Sequence, residues 1–344
     1  MISRSGRPFV CLYEQAWAVT NLLLESSDLG VSQGEPMPRR AVRFCMFYDF
    51  RNPSAWRQDP PKLYRKILDQ IVRGEELGWD DAWVSEHHFV DDDYLPSVLT
   101  MLAAIAARTS RMRIGTGILL LPLHDPIRVA EDAAVVDVLS GGRLELGFGA
   151  GYRVEELAAW GVAAEERGSR MNEAIPLIRR LFAGETLTHQ GKHYRYGELS
   201  LRPRPIQTKV PIWIAGLTPP AVRRAARLAD GFYGIGPIRP LVDEFKREVE
   251  RRGGDPETRE IASALMYMQV ARDPERKWRE ALPHMVYQVN LYARWTAEAA
   301  ARGGFSPVTS RSDLEANGCF IATPERACEI VERFVEENQL TRLF

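Results

Sequence analysis

Cysteine is scarce in this chain, four among 344 residues, and Cys11, Cys45, Cys319 and Cys328 lie far apart with no CxxC or Cys/His cluster. That excludes a disulfide framework and a cysteine-held zinc module, and it fits a reducing cytoplasm. Charge of one sign is also lacking: 45 basic and 46 acidic side chains leave a net charge of -1. No global positive field therefore draws the protein to nucleic acid or to an anionic lipid surface. No stretch approaches the about 18 uninterrupted apolar residues of a membrane span. The most apolar N-terminal part, residues 8–24, contains Glu14 and Gln15 and is followed by no small-residue cleavage pattern. We expect no signal peptide, no transmembrane helix and a cytoplasmic location. What is present is a composition 45% hydrophobic and 26% charged, that of a globular protein with a sizeable core and a small molecule as its partner.

Residues 1–40 read as a tail or linker: a short apolar stretch, then Glu25 to Arg40, rich in Ser, Gly, Pro and charge. From residue 41 onward, strand-like runs alternate with amphipathic helices. Strands are expected at 42–48, 81–85, 112–121, 143–148, 210–215, 231–235 and 261–270. Helices are expected near 63–77, 97–108, 126–139, 167–182, 219–228, 241–252, 274–301 and 324–338. Gly78 stops the first helix, and Asp125-Pro126 and Thr323-Pro324 cap later ones. The segment 184–208 interrupts the alternation as an insertion carrying a hairpin or irregular loop. Repeated strand-helix order predicts an α/β fold, a (β/α)8 barrel in one domain spanning 41–344. Leu340 to Phe344 begins an eighth strand, so most of the eighth unit is expected to be missing. Such a barrel would have open sheet edges, and the N-terminal apolar segment is one candidate to plug them.

Four segments carry chemistry. Ser85-Glu86-His87-His88-Phe89 follows the second strand, at the carboxyl end where barrel active sites lie. Two histidines and a carboxylate can move protons near neutral pH, although a hydrogen-bonded loop would have the same sequence. No third ligand at metal-binding spacing accompanies His87 and His88, so no metal is expected. Gly115 and Gly117 late in the third strand let a flat ring approach the backbone, or serve tight packing. Gly147 to Tyr152 resembles a dinucleotide fingerprint but is not followed by the helix and acidic residue that would complete one. Two places suit an anion. Thr218 before Pro219-Pro220 offers a helix N-terminus and a hydroxyl, with plain N-capping the alternative. Arg170 offers a guanidinium, with a solvated helix arginine the alternative.

Taken together, SEHHF at 85–89, GTGILLLPLHDPIRVAED at 115–132, LSGGRLELGFGAG at 139–151, residues 166–171, and residues 211–216 followed by AARLADG at 225–231 resemble the bacterial luciferase-like flavin-dependent monooxygenases and oxidoreductases. The resemblance runs from about Val42 to the C-terminus. It implies a barrel with an insertion that binds FMN, or a deazaflavin coenzyme, at the carboxyl ends of the strands. By position it implies that His87 is the active-site histidine, a general base or a stabiliser of the flavin oxygen adduct, supported by Glu86 and His88. Gly117-Ile118 matches a place where a non-proline cis peptide lies against the flavin ring. Arg170, Gly216 and Thr218 match cofactor-binding positions, the arginine and threonine at the phosphate. The reactive cysteine and arginine of luciferase itself are replaced by Gly149-Ala150, so light emission is not implied.

The reading favoured is a monooxygenase that takes reduced FMN from a separate flavin reductase and uses oxygen on a small organic substrate, as a homodimer. Two alternatives stand beside it: hydride transfer by a deazaflavin, and a non-catalytic flavin-binding or partner protein. Substrate identity is left open, because the insertion and the loop after the seventh strand shape the pocket. Tyr152 and Trp160 are either pocket or packing aromatics.

Overall fold

The computed structural model describes residues 42–298 and 305–344; the expected tail and its plugging role lie outside the described residues. The barrel begins with β1 (Arg43–Tyr48), α1 (Pro60–Glu76), β2 (Asp81–Val84) and α2 (Val98–Ala106). The chain continues through β3 (Arg113–Thr116), a two-residue β4 (Leu119–Leu120), α3 (Pro126–Ser140), β5 (Leu144–Gly149), a short α4 (Val154–Ala159) and α5 (Arg167–Phe182). The antiparallel hairpin β6 (Thr186–Gln190) and β7 (Arg195–Ser200) follows. After it come β8 (Ile212–Ala215), α6 (Pro219–Leu228), β9 (Gly231–Ile235), α7 (Arg239–Arg251) and β10 (Glu260–Ala264).

These elements form where local chemistry dictates. In α1, Leu63, Ile67 and Ile71 recur at helical spacing and are buried. Gly78, at φ +90°, reverses the chain after the helix in a conformation that a Cβ disfavours. Asp125 caps α3, its carboxylate accepting from the amides of Ile127 at 2.8 Å and Arg128 at 3.2 Å, with Pro126 as the first helical residue.

Two expectations about the C-terminal third need correction. The run 261–270 is not one strand. It divides into β10 and β11 (Tyr267–Val270), and β11 leaves the barrel to pair with β12 (Cys319–Ala322). This excursion also contains α8 (Pro274–Glu298) and α9 (Arg311–Ala316), and α10 (Pro324–Asn338) returns the chain to the barrel. An apolar run of ten residues gives no sign of such a break, because both halves are buried in different places.

The second correction concerns closure. A strand of only two residues, β13 (Arg342–Leu343), pairs with β1 through Arg43 and Phe44 and with β10 through Ala262 and Ser263. Flanking bonds lengthen the seam: Arg43 N–H to Thr341 O at 3.0 Å, Thr341 N–H to Ile261 O at 2.9 Å, Phe344 N–H to Ser263 O at 3.0 Å and Leu265 N–H to Phe344 O at 3.1 Å. The ring β1-β2-β3-β5-β8-β9-β10-β13 is thus a closed, parallel, eight-stranded barrel, without the open edges the sequence suggested. Inside it, Trp83, Trp213 and Tyr233 pack together. Phe344 completes this layer, its ring centroid 5.0 Å from that of Trp83 and 4.8 Å from that of Tyr233.

Candidate active site

A cavity of about 1030 Å³ opens at the carboxyl ends of the strands. His87 and Glu86 line it after β2, Gly117 and Ile118 after β3, Gly149 to Tyr152 after β5, and Gly216 to Thr218 after β8. The segment after β2 is pinned through its backbone: Ser85 N–H donates to Tyr48 O at 3.1 Å and His87 N–H to Leu95 O at 3.2 Å. Residues far apart in sequence converge here because each follows a barrel strand, the geometric property that makes this end reactive in such folds.

His87 is buried, and its Nδ1 lies 2.8 Å from Glu156 Oε1. Glu156 belongs to α4, which the sequence reading missed. The same oxygen accepts the His88 backbone N–H at 2.8 Å and Arg153 Nη1 at 3.0 Å. An anionic acceptor at Nδ1 means that Nδ1 bears the proton and Nε2 the lone pair. Nε2 is 3.4 Å from the Tyr152 hydroxyl. Burial draws the His87 pKa below its ordinary value of 6.5; Glu156 opposes that shift, and the Arg51 and Arg153 charges add to it. The imidazole is therefore neutral at pH 7. Around it stand the rings of Tyr94, Trp295 and Tyr152, with centroids at 4.9, 5.0 and 5.5 Å. Arg51 is stacked 4.5 Å from the centre of Tyr94 and 4.9 Å from that of Tyr292.

Glu86 and His88 are turned away from His87 into a second network. Glu86 Oε1 receives His88 Nε2 at 2.6 Å and His124 Nε2 at 2.7 Å, and its Oε2 accepts the Leu120 N–H at 2.8 Å. Burial would raise the Glu86 pKa, but these bonds outweigh it and hold the carboxyl down at about 2. His124 is the third potential ligand that sequence spacing did not show: it lies 36 positions after His88 and is delivered by the turn at Leu121–Leu123. The donor atoms of Glu86, His88 and His124 lie within 4.8 Å of one another. Their separations are those of hydrogen bonds, with both imidazoles directing Nε2 at the same Glu86 oxygen.

The glycine-rich places divide between the two readings. A Cβ on Gly115 would come within 2.5 Å of Trp83, so that glycine serves packing. Gly117 also adjoins aromatic rings, its added Cβ 2.8 Å from Phe47, yet it faces the cavity with Ile118, and the Gly117-Ile118 peptide is cis. Tyr152 lines the cavity. Trp160 instead packs outside it against His88 and Phe89, with centroids at 4.6 and 5.5 Å and the rings tilted.

At the expected anion site the side chains differ from expectation. Pro219 and Pro220 occupy the first two positions of α6 and have no N–H, and the Ala221 amide is bonded to Thr218 O at 3.0 Å. The first three residues of α6 therefore offer no free amide, although Thr218 before them, whose hydroxyl makes no capping bond, lines the cavity. Arg170 is not on the cavity wall; it lies 3.8 Å from Glu166 and against Tyr194. The guanidinium groups on the wall beside Thr218 are Arg167 and Arg224, with Arg51 on the wall elsewhere. Arg224 and Arg227 share the Asn172 side-chain oxygen at 3.1 and 2.6 Å. Among the described residues none of Arg167, Arg224 and Arg227 pairs with a carboxylate, and burial, with the neighbouring Arg227 and Arg167 charges, lowers the Arg224 pKa. The positions of Arg224 and Arg227, one face of an amphipathic helix just after Thr218, were legible in the sequence as a basic stripe.

Comparison with known proteins agrees with this architecture. A curated relative, the F420-dependent glucose-6-phosphate dehydrogenase of Microbacterium testaceum, is 33% identical over 226 residues, 61% of this chain and 65% of that protein. The oxygenase component of flavin-dependent trigonelline monooxygenase from Acinetobacter baylyi is 31% identical over 181 residues, 52% of this chain and 50% of that protein. The chain thus spans about half to two thirds of the length of these relatives. Among solved structures, the oxygenating constituent of 3,6-diketocamphane monooxygenase from Pseudomonas putida, in complex with FMN, superposes with a TM-score of 0.74 at 18% identity, covering 88% of this chain and 91% of that one. At that identity the likeness is one of fold. Among the described residues, no helix is long and apolar enough to cross a membrane. The sequence model of the luciferase-like monooxygenases matches residues 42–336, and the chain belongs to that family.

Proposed function

We propose that this protein is a flavin-dependent oxidoreductase, the oxygenase component of a two-component monooxygenase that receives reduced FMN from a flavin reductase and acts on a small organic molecule. The observation that carries the reading is one cavity holding two complementary features: a buried, neutral imidazole after β2 and, three strands around the ring after β8, guanidinium charge without a carboxylate partner among the described residues. A phosphate dianion is the ligand such charge suits, and a cavity of about 1030 Å³ is ample for an isoalloxazine ring and a substrate together. Arg167, Arg224 and the Thr218 hydroxyl would hold the phosphate, Gly216 and the Gly117-Ile118 peptide would face the cofactor, and Arg170 would support from behind.

Bound reduced flavin supplies the electrons and the oxygen chemistry. The chain supplies proton handling and a dry wall. His87 Nε2, unprotonated and aimed past Tyr152, accepts a proton from the reacting centre and returns it. Glu86 and His88 fix the segment on which His87 stands. The surrounding rings of Tyr94, Tyr152 and Tyr292 exclude water. Val135, Val138 and Leu139 on α3 are 45%, 42% and 51% exposed, a patch suited to pairing two copies through the outer helices; light scattering of Leu139→Glu against the parent tests that homodimer.

A second reading is supported by the relatives named F420-dependent: hydride transfer with a deazaflavin, with His87 handling the same proton. Anaerobic titration with reduced FMN, followed by oxygen and candidate substrates, tests the first reading. Saturable binding and substrate-dependent oxygen uptake are expected. Binding of the deazaflavin alone would replace it with the second reading, and flavin binding without turnover of any donor would make the chain a non-catalytic binding protein.

A further inference from the structure

We infer that Glu156 is the positioning residue for His87, holding its imidazole in the tautomer that presents Nε2 as proton acceptor, and that α4 ties this state to the wall of the cofactor cavity. The inference rests on the preceding reading only for its consequence in turnover; the coupling itself is a property of the chain.

The geometry has three parts. First, a single oxygen, Glu156 Oε1, gathers His87 Nδ1 at 2.8 Å, the His88 amide at 2.8 Å and Arg153 Nη1 at 3.0 Å. Two of these partners, the amide and the guanidinium, can only donate. The oxygen facing Nδ1 is therefore an anionic acceptor in a donor-rich setting, and Nδ1 must present its hydrogen. Second, Arg153 fastens the arrangement at both ends: its Nη1 also donates to the His88 carbonyl at 2.7 Å, and its guanidinium stacks 4.5 Å above Trp295, itself beside His87. Third, the eight residues 149–156 begin on the cavity wall, at Gly149 to Tyr152, and end at Glu156. A ligand that presses on the 149–152 backbone therefore acts on the segment that orients His87.

The same carboxylate-imidazole logic underlies hydrolytic triads, where an amide in place of the carboxylate loses the tautomer. In Glu156→Gln the neutral carbonyl would face three donors with two lone pairs, and Arg153 would lose its counter-charge. The charged and titratable groups around His87 are then Arg51, Arg153, Tyr94, Tyr152 and Tyr292. With that carboxylate partner gone, the two arginines push protonation of His87 to lower pH.

The test is nitrogen NMR of the histidine rings in the full chain without cofactor, with His87→Gln used to assign the His87 signals. In the parent protein at neutral pH, His87 is expected as the Nδ1–H form with an unprotonated Nε2. Glu156→Gln is expected to mix the two tautomers, to move the acid limb of any pH-rate profile downward, and to reduce kcat at least about tenfold while KM for reduced flavin stays within about twofold. Glu156→Asp, which keeps the charge one methylene short, is expected to fall between. An Nε2–H tautomer in the parent, or a folded Glu156→Gln protein with unaltered tautomer and pH profile, overturns the inference. The parent spectrum decides even if the glutamine variant does not fold. Because the NMR readout needs no cofactor, failure of the flavin reading would appear separately, as an intact Nδ1–H tautomer in a protein that binds no flavin.

Discussion

At the entry ends of the strands, Arg43, Asp81, Arg113 and Arg342 are the first residues of β1, β2, β3 and β13, and their charges close on one another; at the exit ends, buried charges surround a cavity. In the lower network Glu145 is the hub. Arg342 reaches it at 2.7 and 3.2 Å, Arg113 also pairs with it, and Trp213 Nε1 donates at 2.7 Å. Arg342 and Arg113 hold the Glu145 carboxyl down at about 2, against the burial that would raise it. Every charge there has an opposite partner, and the product is closure: a two-residue strand is held by one arginine that crosses the barrel. In the upper network Glu156 orients His87, but Nε2 is left to the cavity beside Tyr152, and among the described residues the arginines near Thr218 have no carboxylate. Buried charge that is internally matched supports the fold, whereas buried charge with an unmatched face is available to a ligand.

Substitutions can separate the two ends. The largest effect is expected from His87→Ala, a 10²- to 10⁴-fold loss of kcat, of the order general acid-base catalysis supplies, with reduced-flavin affinity and unfolding midpoint little altered. Stopped-flow turnover beside a binding titration checks it. In the parent protein, activity that needs neutral His87 should fall on the acid side. Because burial puts the folded pKa below 6.5, the inflection should lie below that value, with a plateau through neutrality. The same sign governs stability: protonation is easier in the unfolded chain, so the His87 contribution becomes unfavourable as pH falls from about 6.5 to the folded pKa.

Next is Arg342→Met at the lower end. Breaking a buried pair costs about 3–5 kcal/mol, read from chemical unfolding, and what folded protein remains should bind flavin normally. A variant that kept its stability would show that closure does not depend on the Arg342-Glu145 pair. Arg224→Ala should weaken reduced FMN about 10- to 100-fold, since hydrogen bonds to charged groups contribute about 1.5–3 kcal/mol, and should leave unfolding unchanged. The smallest effect belongs to His124→Gln. Glu86 keeps His88 and the Leu120 amide, and glutamine still carries an N–H donor, so the net loss should stay below the about 1.5–3 kcal/mol of a full hydrogen bond to a charged group, a factor below about ten in turnover.

How much of this was legible in the sequence depended on how local the cause was. The helices at 167–182 and 219–228 and the strand at 231–235 match residue for residue because caps, glycines and apolar spacing lie within the elements themselves. The split at Leu265–Met266 was invisible, since burial on a barrel wall and burial in a side sheet look alike in an apolar run. At the site, His87 was found from a motif at a strand end. Glu156, 69 positions later, was passed over because a glutamate in the first turn of a short helix is ordinary until its partner is known. Arg224 displaced Arg170 from the cavity wall for a similar reason: helical phase relative to the barrel decides which arginine faces inward, and the sequence does not state that phase.

The sequence by itself determined the alternation of strands and helices, the carboxyl-end position of the Glu86-His87-His88 segment and the absence of a strong field of either sign. These follow from spacing along the chain. Only the tertiary structure decided that residues 340–344 close the ring, that Glu86 takes His88 and His124 while Glu156 takes His87, and that two prolines remove the first amides of α6 while arginines supply the charge. Those outcomes depend on distances between residues brought together by a barrel whose eight strands must all be in place before any of them is set.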